Sequence, residues 1–344
     1  MKNVYDNILG LIGNTPLVRL NRVTESVPAK VFAKLESANP GHSAKDRIAL
    51  HIENAERKGL LKPGTTVVET TSGNTGFSIA MVCITKGYEC ILSVSDKTKP
   101  EKIAYLKALG AKVYVCPASV PADDPRSYYE VAKRIARETP NSIYINQYFN
   151  ELNTEAHYLT TGKEIWEQTE GKITHLFACT GTGGTLSGAA KYIKEQNPDV
   201  KIIGVDADGS ILKTFHETGE INKEEIKPYQ IEGMGKNLIP SALLFDQIDE
   251  FVRVNDENSA YRTREIALKE GIMGGYTTGA VTQGFMQYAA EHSFKETDLV
   301  VLIYPDHGSR YISKVYSDEW MKSQNFNNNP LSDYEIISKT EFVK

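Results

Sequence analysis

The sequence predicts an α/β protein with parallel-rich sheets flanked by helices, and three observations carry that reading. Short apolar, β-branched runs alternate with longer amphipathic ones. Several helical patterns stop at a glycine placed as a C-cap: Gly59, Gly87, Gly110 and Gly271. The chain has 344 residues, too many for one ordinary core and suited to two domains.

Taken in order, the strand candidates are "KVFAKLE" (30–36), "TTVVE" (65–69), "ECILSVS" (89–95), "KVYVCP" (112–117) and "SIYINQY" (142–148). They continue with "THLFACTG" (174–181), "KIIGVDA" (201–207), "EFVRVND" (250–256) and "DLVVLIYPD" (298–306). Each is a short, nearly continuous apolar run, as expected of a strand covered on both faces. Between most of them lie helical patterns at 46–60, 75–88, 100–110, 128–139, 184–197, 259–271 and 279–292. Such strand–helix alternation requires parallel pairing. A domain boundary is expected near residue 150, after "NQYFNELN". The tail from Asn325 is polar and turn-rich and is expected to pack loosely.

Composition narrows the function. At 40% hydrophobic and 24% charged, the chain can bury a full core. A net charge of −5 argues against a polyanionic partner, so no nucleic acid is expected. No apolar run is long enough to span a bilayer, so no membrane is expected either. The start, "MKNVYDNILGLIGNTP", is broken by Asp6, Asn7 and Asn14 and makes a poor signal peptide. Cys83, Cys90, Cys116 and Cys179 form no CxxC and no His/Cys cluster. They read as small buried hydrophobes in a reducing compartment, with no metal site. The expected location is the cytoplasm.

Parallel sheets bind ligands at the carboxyl ends of their strands, beside helix N-termini. Four loops at such ends stand out. "TTSGNTGFS" (70–78) leads small hydroxyl residues and glycines into a helix, and suits a carboxylate or phosphate. Alone it is equally an ordinary capping turn through Ser72 or Asn74. "GTGGTLSG" (181–188) is richer in glycine than a cap requires. Leu186 breaks the dinucleotide pattern, and no lysine follows as a P-loop needs. What remains is a backbone nest for one phosphate, or glycines placed for close packing. "GGYTTGA" (274–280) and "YPDHGSRY" (304–311) complete the set. To these the sequence adds Lys45, in "NPGHSAKDRIAL", held in a tight polar loop near a helix start. One phosphate nest, several hydroxyls, a carboxylate site and a restrained lysine together fit pyridoxal 5′-phosphate, whose aldehyde takes a lysine amine.

In these residues the chain resembles the fold-type II pyridoxal-phosphate enzymes of the cysteine synthase and cystathionine β-synthase family, which share a two-domain, tryptophan synthase β-like fold. The segments "IGNTPLVRL", "SAKDR", "TSGNTG" and "GTGGTLSG" carry the resemblance, which runs to "SDEWM". It implies that Lys45 is the Schiff-base lysine and the general base, and that Asn74 lies beside the cofactor's 3′-oxygen. It implies a phosphate loop of Gly181, Thr182, Gly183, Gly184 and Thr185, and Thr277 facing the pyridine nitrogen. A neutral hydroxyl there makes the ring a weaker electron sink, which suits prompt loss of a β-leaving group. Thr71, Ser72, Thr75 and Gln147 resemble the substrate-carboxylate cradle, and Tyr148 is a candidate substrate contact. The implied division is a larger domain of residues 1–40 and 151–324 that binds the cofactor phosphate. A smaller mobile domain of residues 41–150 carries the lysine and the carboxylate loop, and residues 325–344 form the tail.

"GVDADGSIL", "IEGMGKNLIP", "NQYFNELNTEAHY" and "SDEWM" resemble the cystathionine β-synthase catalytic core more than the sulfhydrylases. Asp208 falls where that branch has an acidic residue near the substrate mouth, and equally reads as a solvated loop aspartate. The resemblance implies β-replacement through an aminoacrylate, joining L-serine or an activated serine with L-homocysteine. The alternatives are cysteine synthase, acting on O-acetyl-L-serine and sulfide, and a cysteine-consuming lyase that releases hydrogen sulfide. A non-catalytic binding protein on the same scaffold would have no need of Lys45. No haem-binding extension precedes "ILGLIGNTP" and no regulatory nucleotide-binding pair follows "SDEWM", so neither haem nor S-adenosylmethionine control is expected. Tyr276 is bulkier than the residue usual in that branch, which bears on the thiol acceptor. His42 departs from the family's pattern and reads as a surface residue. A homodimer is expected by resemblance.

Overall fold

The computed structural model describes residues 4–326, except 60, 72, 122 and 147–151, together with residue 331. Among the described residues ten strands form two sheets. They are β1 (Leu17–Arg19), β2 (Lys30–Leu35), β3 (Thr66–Thr70), β4 (Glu89–Ser95), β5 (Lys112–Cys116), β6 (Ser142–Tyr144), β7 (His175–Cys179), β8 (Lys201–Ala207), β9 (Glu250–Val254) and β10 (Leu299–Tyr304). The six-stranded sheet has the order β1-β2-β10-β7-β8-β9, and the four-stranded sheet β5-β4-β3-β6. Every pair is parallel except the edge pair β1–β2. The four-stranded sheet is built from chain lying between β2 and β7, so it is an insertion into the larger one.

The apolar runs form strands because both faces are covered. Val300, Leu302 and Tyr304 of β10 enter one core, whereas Val301 and Ile303 enter the core on the opposite face. β8 divides in the same way, with Ile203, Val205 and Ala207 on one side and Ile202 on the other. In the smaller sheet Val67 and Leu92 face one core, Val68 and Ile91 another. At about 1.5–3 kcal/mol for each large aliphatic side chain buried, this two-sided burial dominates the stability of the layered fold.

All nine expected strands are present, and the seven helical patterns become helices, from Ala49–Arg57 to Tyr276–Glu291. The four stopping glycines all have left-handed φ, from 69° to 79°. Four pieces were not expected. β1 is three residues long, too short to show a period. Helices Leu212–Thr218 and Asp318–Ser323 are similarly brief. The helical run from Leu152 to Gln168 has the breakers Thr160, Thr161 and Gly162 at its centre, where the structure has a π-helical turn, Tyr158–Gly162. Packing overrides propensity here. A Cβ on Gly162 would come within 2.9 Å of the Ala189 backbone, and one on Gly188 within 2.3 Å of Thr154 O, so these helices meet through glycine. No described helix is long and apolar enough to cross a membrane.

Candidate active site

Lys45 lies in the 3₁₀ turn Ala44–Ile48, which the local sequence holds from several directions. Ser43 is the N-cap, and its side chain accepts from Lys45 N at 3.3 Å. Ahead of it His42 adopts φ 61°. A Cβ on Gly41 would lie 2.3 Å from Asp46 Oδ1, so only glycine fits there. Asp46 accepts from Gly41 N and from the Ser78 hydroxyl, both at 2.5 Å. Burial pushes its carboxyl up to about 6.

The loop also pairs with chain leaving β10. Ser43 bridges Asp306 in antiparallel fashion, Ala44 N donates to Pro305 O at 2.8 Å, and His307 N to His42 O at 3.1 Å.

On its other flank, buried Arg47 forks onto Glu36 through two bonds of 2.7 Å. It also reaches Glu164 at 2.7 and 2.9 Å. Glu164 further accepts from Lys34 at 2.6 Å. Burial alone would raise both carboxyls, but the Arg47 guanidinium overcomes it and holds Glu36 below its ordinary range and Glu164 at about 2. With Asp46 and Arg47 both anchored inward, the side chain of Lys45 before them is left to line the cleft.

Lys45 is half-buried, and its Nζ makes no hydrogen bond or ion pair with another described residue. Burial and, secondarily, the charge of Lys236 push its amine down to about 8, against the opposing pull of Asp306. The sign is definite: a lowered pKa enlarges the neutral, nucleophilic fraction at physiological pH. Capture of pyridoxal phosphate by the cofactor-free protein is therefore expected to accelerate about fivefold between pH 7 and 8 and to level off above about pH 9. An ordinary lysine would keep accelerating about tenfold per pH unit to about pH 10. The rate of appearance of the visible band, followed against pH, distinguishes the two.

The cleft holds roughly 620 Å³ of empty space, open solvent at its mouth included. Three helices begin at its wall: Asn74–Lys86, Gly184–Gln196 and Tyr276–Glu291. Their N-caps are Gly73, Gly183 and Gly275, none with a side-chain cap. By contrast Ser127, Asn255 and Ser317 cap helices elsewhere with their own oxygens. Uncapped first turns leave backbone donors and positive helix ends for an anion.

The glycine loop is set by close approach. A Cβ on Gly181 would lie 2.2 Å from Gly233 O, and one on Gly184 would lie 2.3 Å from Asn153 Oδ1. Asn153 Nδ2 donates to Thr182 Oγ1 at 3.0 Å, and Thr185 Oγ1 meets His157 Nε2 at 3.1 Å. Helix Leu152–His157 thus fixes both threonines.

Of the residues expected from the sequence, Lys45, Asn74, Gly181, Thr182, Gly183, Thr185 and Thr277 all line this one cleft. Gly184 is buried behind them. Thr71 is half-buried and its Oγ1 accepts from Gly73 N at 3.3 Å, while Thr75 is buried in the next helix turn. Neither is among the cleft-lining residues. Ser72, Gln147 and Tyr148 lie outside the described residues. Asp208 is not brought to the cleft: its side chain is exposed, and Asp206 is the buried one. Asp208 lies in the turn just past the end of β8, whereas Asp206 is held within the strand. Tyr276 also turns away. It is fully buried, meets Trp320 edge-on, and donates its hydroxyl to Asp256 O at 2.8 Å, so its bulk fills core and does not narrow the cleft. His42 is exposed, as expected.

Asp306 and Tyr311, in the loop 304–311 noted from the sequence, and Glu232 also line the cleft, although the sequence reading gave none of the three a role. The signal for Asp306 was position: it lies two residues past the last strong strand. Cys179, read as a core hydrophobe, lies in the cleft wall with its thiol donating to Thr277 O at 3.4 Å.

These residues fit pyridoxal phosphate. The three uncapped helix starts supply anion donors, Lys45 supplies a depressed amine, and Asp306 brings a buried Oδ1 that has no hydrogen-bond partner among the described residues.

Known proteins agree. Rat cystathionine β-synthase is 42% identical over 332 residues, 96% of this chain and 58% of the relative. The honeybee enzyme is 40% identical over 326 residues, 94% of this chain and 64% of the relative. The chain thus spans about three-fifths of the length of these relatives. The crystal structure of a hydrogen sulfide-producing enzyme from Fusobacterium nucleatum matches with a TM-score of 0.80 and 32% identity, covering 90% of this chain and 99% of that one. Residues 8–306 match the family model of the pyridoxal-phosphate dependent enzyme, which takes in β1 through β10 and every cleft residue named above except Tyr311, and the chain therefore belongs to that family.

Proposed function

We propose that this protein catalyses β-replacement on L-serine or a β-substituted serine or cysteine, in the manner of cystathionine β-synthase: L-serine and L-homocysteine give L-cystathionine and water. The observation that carries the reading is Lys45, an amine held near neutrality between anchored neighbours and facing the uncapped glycine loop across one cleft. The similarity to cystathionine β-synthases over more than nine-tenths of this chain supports the substrate pair.

When bound, pyridoxal phosphate withdraws electrons from the substrate Cα. Every other task falls to the protein. The Gly181–Thr185 backbone, braced by Asn153 and His157, grips the phosphate. Lys45 Nζ, neutral in a large fraction at pH 8, accepts the Cα proton and returns a proton to the product. Thr277, buried in the first turn of helix Tyr276–Glu291, offers an uncharged hydroxyl at the cleft wall where an aspartate would offer a charge. Without that counter-charge, departure of the β-substituent is favoured over lingering negative charge at Cα. Thr71, Ser72, Thr75 and Gln147 are assigned to the substrate carboxylate, on the strength of the hydroxyl-rich loop opening helix Asn74–Lys86. The exposure of Asp208 favours a role outside the chemistry.

A second reading has a specific observation behind it. The hydrogen sulfide-producing enzyme matches this chain over almost its own full length, which favours L-cysteine as first substrate with release of sulfide.

The deciding experiment titrates the cofactor-loaded protein separately with L-serine, O-acetyl-L-serine and L-cysteine. A change in the visible band with L-serine, reversed by L-homocysteine with formation of cystathionine, is the expected result. A response to O-acetyl-L-serine alone moves the assignment to cysteine synthase, and a response to L-cysteine with sulfide release moves it to the second reading.

The same proposal includes a homodimer, by resemblance, and the cytoplasm, favoured by four free thiols. It divides the chain at residues 41–150 and the remainder, in keeping with the two sheets.

A further inference from the structure

Arg310, in the 3₁₀ turn Gly308–Tyr311, reaches from the loop after β10 to the elements of the smaller sheet. Its Nη1 donates to Asn74 Oδ1, its Nη2 donates to Gly41 O at 2.6 Å, and the guanidinium lies 5.4 Å from the centroid of Phe77. Asn74 Nδ2 in turn donates to Asp306 Oδ2 at 2.8 Å, and the Tyr311 hydroxyl donates to the same oxygen at 2.8 Å.

A guanidinium offers donors only, and a carboxylate accepts. The two partners of Asn74 therefore decide which end of its amide is oxygen, a choice that side-chain shape alone leaves open. Asp306 is 2% exposed, and its second oxygen is without a partner among the described residues, although it lies in the wall beside Lys45. That oxygen is packed against Gly275, where a Cβ would come within 1.9 Å, so no side chain can replace glycine there without displacing the carboxylate.

Resting on the reading that the cleft seats pyridoxal phosphate beside Asn74, we propose that Arg310 and Asp306 are positioning residues that lock the Asn74 amide so that it presents a donor, never its carbonyl, to the ionised ring oxygen of the cofactor. The amide nitrogen carries two hydrogens. Asp306 takes one, and the other remains for the ligand. A reversed amide would set a carbonyl oxygen against an anionic oxygen and repel it. Arg310 also polarises the amide, which strengthens the donor at its far end.

The test is a double-mutant cycle of Arg310→Met and Asn74→Ala. It is read as cofactor dissociation constant and visible absorption band, with no amino-acid substrate present. Each single variant is expected to bind pyridoxal phosphate about tenfold more weakly, the worth of one charge-assisted hydrogen bond. Each is also expected to shift the band toward the neutral ring-oxygen form. The double variant is expected to be no weaker than Asn74→Ala, because Arg310 acts through Asn74. Arg310→Lys, which keeps a donor, restores most of the band. Asp306→Asn, whose amide can face Asn74 either way, shifts it in part. Additive losses in the double variant overturn the proposal. So does an Arg310→Met protein that melts lower yet keeps the parent band, since Arg310 would then be only a structural tie. The outcome does not depend on which amino acid is the substrate, so failure of that assignment leaves it readable. A parent protein that forms no visible band with pyridoxal phosphate would instead sink the cofactor seat, and this proposal with it.

Discussion

The Lys45→Ala protein is expected to fold normally and to lose turnover by about three orders of magnitude or more. Two features of the site carry that expectation. The amine is the cleft's lysine, and its Nζ is tied to no described residue, so its removal costs little packing and no hydrogen bond. Its neighbours, which do hold the loop, remain: Asp46 on Gly41 and Ser78, and Arg47 on Glu36 and Glu164. The melting temperature should therefore stay near that of the parent, or rise slightly as a desolvated amine is removed. Borohydride treatment followed by unfolding and dialysis should leave the cofactor attached to the parent chain and not to the variant. Turnover within tenfold of the parent would remove Lys45 from the chemistry, and so would retention of reduced cofactor by the variant chain.

Arg47→Met is expected to have the opposite profile, with a large stability loss. It leaves Glu36, fully buried, without its ion-pair partner and with only the longer-range charge of Lys34, and leaves Glu164 with Lys34 alone. Breaking one partner of a buried ion network typically costs about 3–5 kcal/mol. Arg47→Lys should recover little, because an ammonium cannot make the paired bonds of the fork to both carboxylates. The sign with pH provides a second reading. The folded-state pKa values of Glu36 and Glu164 are depressed, so their contribution is present in full above the ordinary carboxylate range. The Glu164 part is lost as pH falls from about 4.5 toward 2, and the Glu36 part is likewise lost on acidification below its ordinary range. In chemical denaturation the gap between parent and variant should be widest near neutrality and should narrow on acidification. A gap under 1 kcal/mol at pH 7, or one that widens on acidification, would contradict the account.

The sheets were legible in the sequence because parallel strands covered on both faces must be apolar almost throughout, and the runs at 89–95, 201–207 and 298–306 leave little choice. β1 was not legible, since its three residues are held by pairing with β2 and carry no pattern of their own. The helical run through Thr160, Thr161 and Gly162 was hidden for another reason: its breakers are the residues that let two helices touch. In the site, Lys45 and the glycine loop were readable because their composition is unusual for a surface loop. Asp306 was not, because an aspartate after a strand looks the same whether it faces solvent or, as here, lies 2% exposed in the wall of a cleft. Asp208 shows the converse. Asp206 ends buried inside β8 and Asp208 exposed in the turn that follows it, and neither charge nor motif reveals where the strand stops.

The strand order carries a consequence for how the molecule is made. β10 lies between β2 and β7, so Lys30 pairs with Leu299. As the chain leaves the ribosome, the four-stranded sheet has all its strands once Tyr144 has emerged. The larger sheet stays in two unjoined halves until Tyr304 follows. Because the Lys45 loop is clamped by Pro305 and Asp306, the lysine reaches its working position only after β10 has emerged. Insertion of that late strand into a waiting gap is a long-range closure, of the kind that retards folding most. Cofactor capture is coupled to that event: nascent or truncated chains lacking β10 would display a lysine with no cleft around it.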